Sequence, residues 1–145
     1  MKTSIFLLCI MLGAACHSQE WLTDFDAAKR KATAEKKQIL LVFTGSDWCP
    51  RCQELEEKLW QTPEFKAEAK EKWVLLKADF PQKGGMPEPV DVNAMNMILT
   101  ERYNRNGFFP YIVLLDKYGR VLGRTGYEEF DTVKEYLFLL RNMKP

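Results

Sequence analysis

The sequence predicts a single α/β domain with a central sheet covered by helices on both faces. The chain has 145 residues, which is enough for one hydrophobic core. Short apolar runs of strand length alternate with segments whose apolar residues recur at helical spacing,. The run at residues 39–43 is continuously apolar, as in a strand that is buried on both sides,. Together these observations favour helices packed on both faces of one sheet.

The composition is that of a globular protein without a strong electrostatic field. Hydrophobic residues make up 46% and charged residues 28% of the chain, and the formal net charge is +1. Loss of residues 1–18, which contain Lys2, would leave 20 basic and 20 acidic residues. Nothing in this balance attracts a polyanion, so the composition argues against nucleic acid as a partner.

Residues 1–18 predict an export signal. Lys2 precedes the apolar residues 5–12, and small residues follow them,. The apolar part is too short to span a bilayer as a stable helix, which takes about 20 residues. A buried N-terminal helix is the alternative. We therefore expect export to the periplasm or cell envelope of a bacterium, with the folded domain at residues 19–145.

The end of this signal leaves the anchoring mode open. Residues 13–16 resemble a bacterial lipoprotein box that ends at Cys16, although Gly13 stands where an apolar residue is usual. Cleavage near Ala15 or Ser18 without lipidation is the alternative. Cys9 is lost in either case. If the cut falls at or beyond Cys16, that residue is lost or capped as well, and Cys49 and Cys52 are the thiols expected to remain free.

The first half of the domain predicts a helix, a strand and a second helix. Leu22, Phe25, Ala28 and Ala32 recur at helical spacing, with a start at Thr23 and an end near Lys36,. Residues 39–43 form the first apolar strand. Cys52, Leu55 and Leu59 then share the inner face of the helix that follows the cysteine pair,.

The second half continues the alternation. Thr62 and Pro63 begin another helix, residues 74–78 form a strand, and the prolines and glycines of residues 81–89 indicate a loop,. Elements predicted downstream are a helix carrying Val92, Met95 and Leu99, a hairpin of strands 111–115 and 121–123, and a last helix carrying Val133, Tyr136, Leu137 and Leu140,.

The pair Cys49 and Cys52 is the chemical feature of the sequence. It lies between a strand and a helix, where the free amides and dipole of the helix start favour a thiolate at Cys49. Cys52, one turn inside, is placed to resolve a mixed disulfide. Arg51, between the two, adds a permanent cation that predicts a more oxidising potential. An Arg51 that points into solvent and serves only partner choice is the alternative.

Other uses of two cysteines are less well supported. Structural zinc needs four ligands, whereas the mature chain offers these two cysteines and His17 at most. Haem attachment needs histidine directly after the pair, where Gln53 stands. Copper delivery generally needs a histidine partner. A purely structural disulfide remains an alternative, although a loop this short adds little stability. We expect no metal and no cofactor.

Residues 39–43, 46–52 and 109–116 together resemble the thioredoxin superfamily. The chain is similar to secreted thioredoxin-like domains and to the C-terminal domain of the membrane disulfide reductase of the Dsb system. This resemblance covers roughly residues 20–143. It implies an α/β, thioredoxin-like three-layer fold, with a central mixed sheet of four to five strands and helices on both faces.

The resemblance also implies roles for individual residues. Cys49 becomes the nucleophile, Cys52 the resolving thiol, and Pro110 a cis-proline that leaves the backbone of Phe109 free to pair with substrate. Trp48 and Phe109 are expected to form an apolar rim that binds substrate. Phe108 is as well explained by the core as by that rim. Met86 is a further rim candidate, although its loop is more typical of a connector.

One position departs from the family pattern. Thioredoxins carry a buried aspartate six residues before the first cysteine, and here that residue is Phe43. Proton transfer at Cys52 therefore needs another group. Asp47 is close enough in sequence to act through water, but a solvated acid that caps the helix is the simpler interpretation.

The sequence therefore predicts a protein-disulfide oxidoreductase with a Cys-Pro-Arg-Cys dithiol, acting as a reductase in the cell envelope. Its expected partners are proteins with disulfides and a membrane electron donor, and its one expected membrane contact is a lipid at Cys16. The motif fixes the reaction class but not the direction of electron flow. A redox-inactive adaptor built on the same fold is the alternative function.

Overall fold

The computed structural model describes residues 19–83 and 89–145. The predicted export signal and Met86 lie outside these residues. The strands are β1 (Trp21–Leu22), β2 (Gln38–Thr44), β3 (Trp73–Asp79), β4 (Tyr111–Leu115) and β5 (Val121–Thr125). The helices are α1 (Phe25–Glu35), α2 (Pro50–Leu55), α3 (Pro63–Lys72), α4 (Val90–Tyr103) and α5 (Val133–Arg141), and a π-helical turn, Glu56–Trp60, continues α2.

The strands form one mixed sheet in the order β1-β3-β2-β4-β5. β1 and β2 both run parallel to β3, whereas β4 is antiparallel to β2 and to β5. Helices cover both faces of this sheet. The predicted three-layer α/β fold is confirmed.

Alternate side chains of each central strand enter opposite cores. Leu40 and Val42 of β2 face the cluster built with α2, the π-helical turn, α3 and α5. Ile39, Leu41 and Phe43 face the cluster built with α1 and α4. Both faces of β2 are therefore buried, which is the physical reason for its continuous apolar run.

The structure corrects the predicted start of the first helix. Leu22 does not belong to that helix but to β1, where it pairs with Leu76 of β3. Asp24, rather than Thr23, is the N-cap, and its carboxylate accepts a hydrogen bond from the amide of Ala27. A strand of two residues is too short to show a period of its own, so the spacing of Leu22 matched the helix by coincidence.

The later helix starts agree more closely with the sequence. Thr62 caps α3 with Pro63 in the first turn, as predicted,. Thr132 is the N-cap of α5 and forms a reciprocal capping box with Glu135,. Within the described residues, none of the helices combines the length and the apolar character needed to cross a membrane.

The topology brings three chain segments to one edge of the sheet. Parallel β2 and β3 end there, and antiparallel β4 begins there. The residues after Thr44, the residues after Asp79 and the residues before Tyr111 therefore meet. This edge holds the cysteine pair.

Candidate functional site

Cys49 and Cys52 are joined by a disulfide at the start of α2. Cys49 is the N-cap of this helix, with Pro50 in its first turn, and the amide of Cys52 donates to the Sγ of Cys49 over 3.2 Å. The amide of Cys49 in turn donates to the carbonyl of Gly45 over 2.9 Å, which closes the turn between β2 and α2. A helix start therefore supplies a fixed hydrogen-bond donor to the outer sulfur.

The two sulfurs differ in their neighbours more than in their exposure. In this disulfide form Cys49 is 5% and Cys52 is 3% exposed. The amide of Gly45 donates a hydrogen bond to the Sγ of Cys52 over 3.5 Å. The inward position predicted for Cys52 is confirmed, but Cys49 is not an exposed residue in the oxidised protein.

A cavity of about 230 Å³ adjoins Cys52. Glu56 and Lys77 line it and form an ion pair, with 3.3 Å between Lys77 Nζ and Glu56 Oε2. The Lys77 ammonium also lies 4.7 Å from the ring centroid of Trp21. The remaining lining residues are Thr44, Ser46, Gln53 and Glu57. A space of this size, lined by charged, amide and hydroxyl side chains, can hold water between the inner cysteine and the Glu56–Lys77 pair,.

Aromatic rings pack together around Trp48, the residue directly before Cys49. Trp48 contacts Phe109 at 5.3 Å between ring centroids, and Phe109 contacts Phe80 at 5.6 Å. The indole nitrogen of Trp48 donates to the carbonyl of Phe80 over 2.7 Å. All three residues are half-buried. We call these three residues the aromatic wall.

Glycine allows Trp48 to adopt this position. A Cβ built at Gly45 would overlap the indole ring of Trp48, so the ring lies directly against the Cα of Gly45. The Phe109-Pro110 bond is cis and Pro110 is buried. Phe108 is 54% exposed, so it lies outside the core.

Asp47 is not the N-cap of α2. Its carboxylate accepts the amide of Gln82 at 2.9 and 3.1 Å and that of Lys83 at 2.6 Å. These bonds, that of Gln82 first, hold the pKa of Asp47 below its ordinary value,. The cap position belongs to Cys49, so the prediction of a helix-capping role was wrong.

Arg51 does not stand alone between the cysteines. Its guanidinium donates to Glu54 over 3.0 Å and to the Tyr127 hydroxyl over 3.2 Å, and it lies 4.5 Å from the Tyr127 ring centroid. Glu129 approaches to 3.8 Å. Hydrogen bonds from Lys58, Tyr127 and Arg51 lower the pKa of Glu54 to about 2. The positive charge of Arg51 thus has a partner that is ionised at neutral pH.

Sequence reasoning missed several residues of this site. The sequence contained an indication of Glu56, because a residue four places after Cys52 lies on the same face of the helix. Lys77 was indicated too, because it is the one charged side chain in the otherwise apolar run 73–78. Nothing in the sequence indicated Phe80 or Tyr127, because only the tertiary structure brings them to Phe109 and Arg51. Within the described residues, no cluster of three or more side chains suited to a metal ion is present.

Comparison with known proteins agrees with this geometry. A family model described as thioredoxin-like matches residues 20–117. The chain is similar to the disulfide bond reductase DsbH of Chlamydia pneumoniae, with 34% identity over 114 residues. It is also similar to the thioredoxin-related protein DsbJ of the same organism, with 24% identity over 106 residues. These alignments cover 79% and 73% of this chain.

The coverage of the relatives themselves is smaller. The alignments span 66% of DsbH and 30% of DsbJ. Among solved structures, the chain is similar to a DsbH oxidoreductase, with a TM-score of 0.75 and 30% identity over 95% of this chain and 92% of that one. Relatives named as disulfide oxidoreductases and the Cys49–Cys52 disulfide together support a redox role.

Proposed function

The chain belongs to the thioredoxin-like family, and from that membership we propose that it is a protein-disulfide reductase of the bacterial cell envelope. The observation that carries the proposal is the disulfide at the start of α2, with the Cys49 sulfur hydrogen-bonded to the amide of Cys52 over 3.2 Å. A sulfur held at a helix start is stabilised as the thiolate that disulfide exchange requires.

The reaction begins with the reduced dithiol. The Cys49 thiolate attacks one sulfur of a substrate disulfide, which forms a mixed disulfide and releases the other substrate sulfur as a thiolate. Cys52 then loses its proton and attacks the Sγ of Cys49. This step forms the Cys49–Cys52 bond and releases the second substrate thiolate. Two electrons pass to the substrate, and a dithiol donor must return them.

Glu56 is our proposed proton acceptor for Cys52. Phe43 occupies the position of the family aspartate, so that route is absent from this chain. Glu56 lines the cavity next to Cys52 and is held there by Lys77. Water in this cavity would connect the Cys52 thiol to the Glu56 carboxylate.

Substrate binding is assigned to the aromatic wall and the adjoining backbone. Trp48, which directly precedes Cys49, and Phe109, which contacts Trp48, offer half-buried apolar surface. Phe109 directly precedes β4 at the sheet edge where Cys49 lies. An extended substrate segment would pair with the Phe109 backbone while its disulfide meets Cys49. Pro110 keeps its family role at this position as part of the proposal.

The direction of electron flow and the location are supported by separate observations. The relative with 34% identity is named a disulfide bond reductase, which favours reduction. The pattern of residues 1–18 supports export, with a folded domain at 19–145 and a lipid at Cys16 as its membrane contact. A membrane electron donor would then supply the reducing equivalents.

Insulin reduction tests the proposal. With dithiothreitol as donor, the protein should accelerate insulin precipitation, and Cys49→Ser should fall to the uncatalysed rate because it has no attacking sulfur. Glu71→Gln, a change at an exposed residue of α3, is the control and should keep wild-type activity. Turnover that does not depend on Cys49, or none in the wild type, would favour the adaptor alternative.

A further inference from the structure

We propose that Asp47 is a positioning residue that holds residues 80–83 as a surface contacting polypeptide substrates. This inference rests on the proposed function. Asp47 precedes Cys49 by two residues, yet its carboxylate is turned toward the chain that leaves β3. It binds a segment that is more than 30 residues away in sequence, next to the reacting sulfurs.

Three consecutive residues connect the two segments. The amide and hydroxyl of Ser46 both donate to Asp79, over 2.9 and 2.6 Å. Trp48 donates from its indole nitrogen to the Phe80 carbonyl. Asp47, between them, accepts the amides of Gln82 and Lys83. Every side chain from Ser46 to Trp48 is therefore used to fix the course of residues 79–83.

The hydrogen bonds of Asp47 hold the part of the segment that follows Phe80. Ser46 acts at Asp79 and Trp48 acts at Phe80, which leaves residues 82 and 83 to Asp47 alone among these three. Two bonds from backbone amides to an ionised carboxylate are stronger than neutral ones. Their loss should free residues 82–83 and loosen the Phe80 side of the aromatic wall.

The geometry argues against a direct role for Asp47 in proton transfer. Both carboxylate oxygens accept backbone amides, which favour the ionised form and hold the pKa below its ordinary value,. An acid that stays ionised is a poor proton carrier near neutral pH. Because Asp47 binds backbone amides, its role is instead to fix the conformation of residues 80–83.

This assignment separates two kinds of substrate. A small disulfide such as cystine meets the sulfurs of the dithiol and little else. A polypeptide disulfide also lies along the surface beside the sulfurs, where Phe80 contacts Phe109. Disorder in residues 80–83 should therefore weaken the binding of polypeptides and leave the intrinsic reactivity of Cys49 intact.

The experiment compares the two substrates in the same variants. Asp47→Ala should lower kcat/KM for insulin about tenfold, mainly through KM, because two charge-assisted bonds to the contacting segment are lost. The rate with cystine should change less than about twofold, since only uniform binding of the longer substrate is affected. Asp47→Asn keeps one acceptor oxygen and should lie between Asp47→Ala and wild type.

Amide hydrogen exchange and thermal melting complete the test. Exchange at Gln82 and Lys83 should accelerate in Asp47→Ala while the melting curve shows a folded protein. Glu71→Gln is the control for loss of one negative charge and should match wild type in every assay. The split between insulin and cystine, with faster exchange at residues 82–83, supports the proposal.

Two results would overturn it. An equal loss with both substrates would mean that Asp47 acts on the thiols themselves. Unchanged insulin kinetics in both Asp47 variants would mean that residues 80–83 need no such support. If the wild type reduces neither substrate, the proposed function fails and this inference fails with it, which is a result distinct from the other two.

Discussion

The two sulfurs of the site lie one helical turn apart and meet different chemistry. The outer sulfur, of Cys49, faces a fixed amide donor at the start of α2. The inner sulfur, of Cys52, adjoins a cavity that holds the ionisable pair of Glu56 and Lys77. The exposed fractions of the two residues are nearly equal, 5% for Cys49 and 3% for Cys52. We therefore base the proposed roles on neighbouring groups: the amide at the helix start suits a stable thiolate at Cys49, and the Glu56 carboxylate suits a thiol that must lose its proton.

The largest expected effect comes from removing either sulfur. Cys52→Ser should accumulate mixed disulfides with envelope proteins, because attack by Cys49 proceeds while resolution cannot. Cys49→Ser should accumulate none. Acid trapping followed by non-reducing gels measures both, and reduction of the same samples is the control. Equal adduct yields would mean that the two cysteines do not have distinct roles, and adducts confined to Cys49→Ser would reverse the roles.

Glu56→Gln should produce the next largest effect. Without the carboxylate, deprotonation of Cys52 depends on solvent, so release of the mixed disulfide should slow on the order of tenfold at neutral pH. The first attack by Cys49 should keep its rate. Rapid acid quenching of a single turnover separates the two steps.

Glu57→Gln is the matched control for that variant. Glu57 lines the same cavity, but the ion pair with Lys77 is formed by Glu56. The control should therefore resolve the mixed disulfide at nearly the wild-type rate. Equal slowing in both variants would attribute the effect to the charge of the cavity rather than to Glu56, and an unchanged rate in Glu56→Gln would remove it from the mechanism.

The sequence predicted the sheet well because burial on both faces leaves a direct trace. Residues 39–43 are apolar without interruption and residues 74–78 are apolar except for Lys77, and β2 and β3 contain these runs with one residue more at each end. β1 left no such trace, since two residues cannot display a period. Its pairing with β3 is a tertiary event, and so Leu22 was assigned to the helix.

The candidate site was predictable to the extent that its residues are local in sequence. Trp48, Cys49 and Cys52 follow one another at the junction of β2 and α2. Asp47 was misread because the amides that it binds belong to residues 82 and 83. Sequence distance conceals such partners.

Arg51 offers the smallest expected effect and the finest test of the outer sulfur. A cation near Cys49 stabilises its thiolate, which exists only in the reduced protein, so it raises the reduction potential. Arg51→Gly should therefore lower the potential. One pKa unit of a thiol corresponds to about 30 mV for a two-electron couple. The guanidinium is exposed and paired with Glu54, so we expect a shift on the order of 10 mV.

A variant of Glu54 should shift the reduction potential in the opposite direction. Its pKa of about 2 means that its negative charge offsets Arg51 throughout the neutral range. Glu54→Gln removes that offset and should raise the potential by a similar amount, because the Arg51 cation then acts on the Cys49 thiolate unopposed. Titration in glutathione buffers, followed by alkylation, measures both shifts against wild type. Opposite signs would assign Arg51 to redox tuning. A potential in Arg51→Gly equal to or above that of wild type would leave Arg51 as a residue that holds Tyr127 beside the helix.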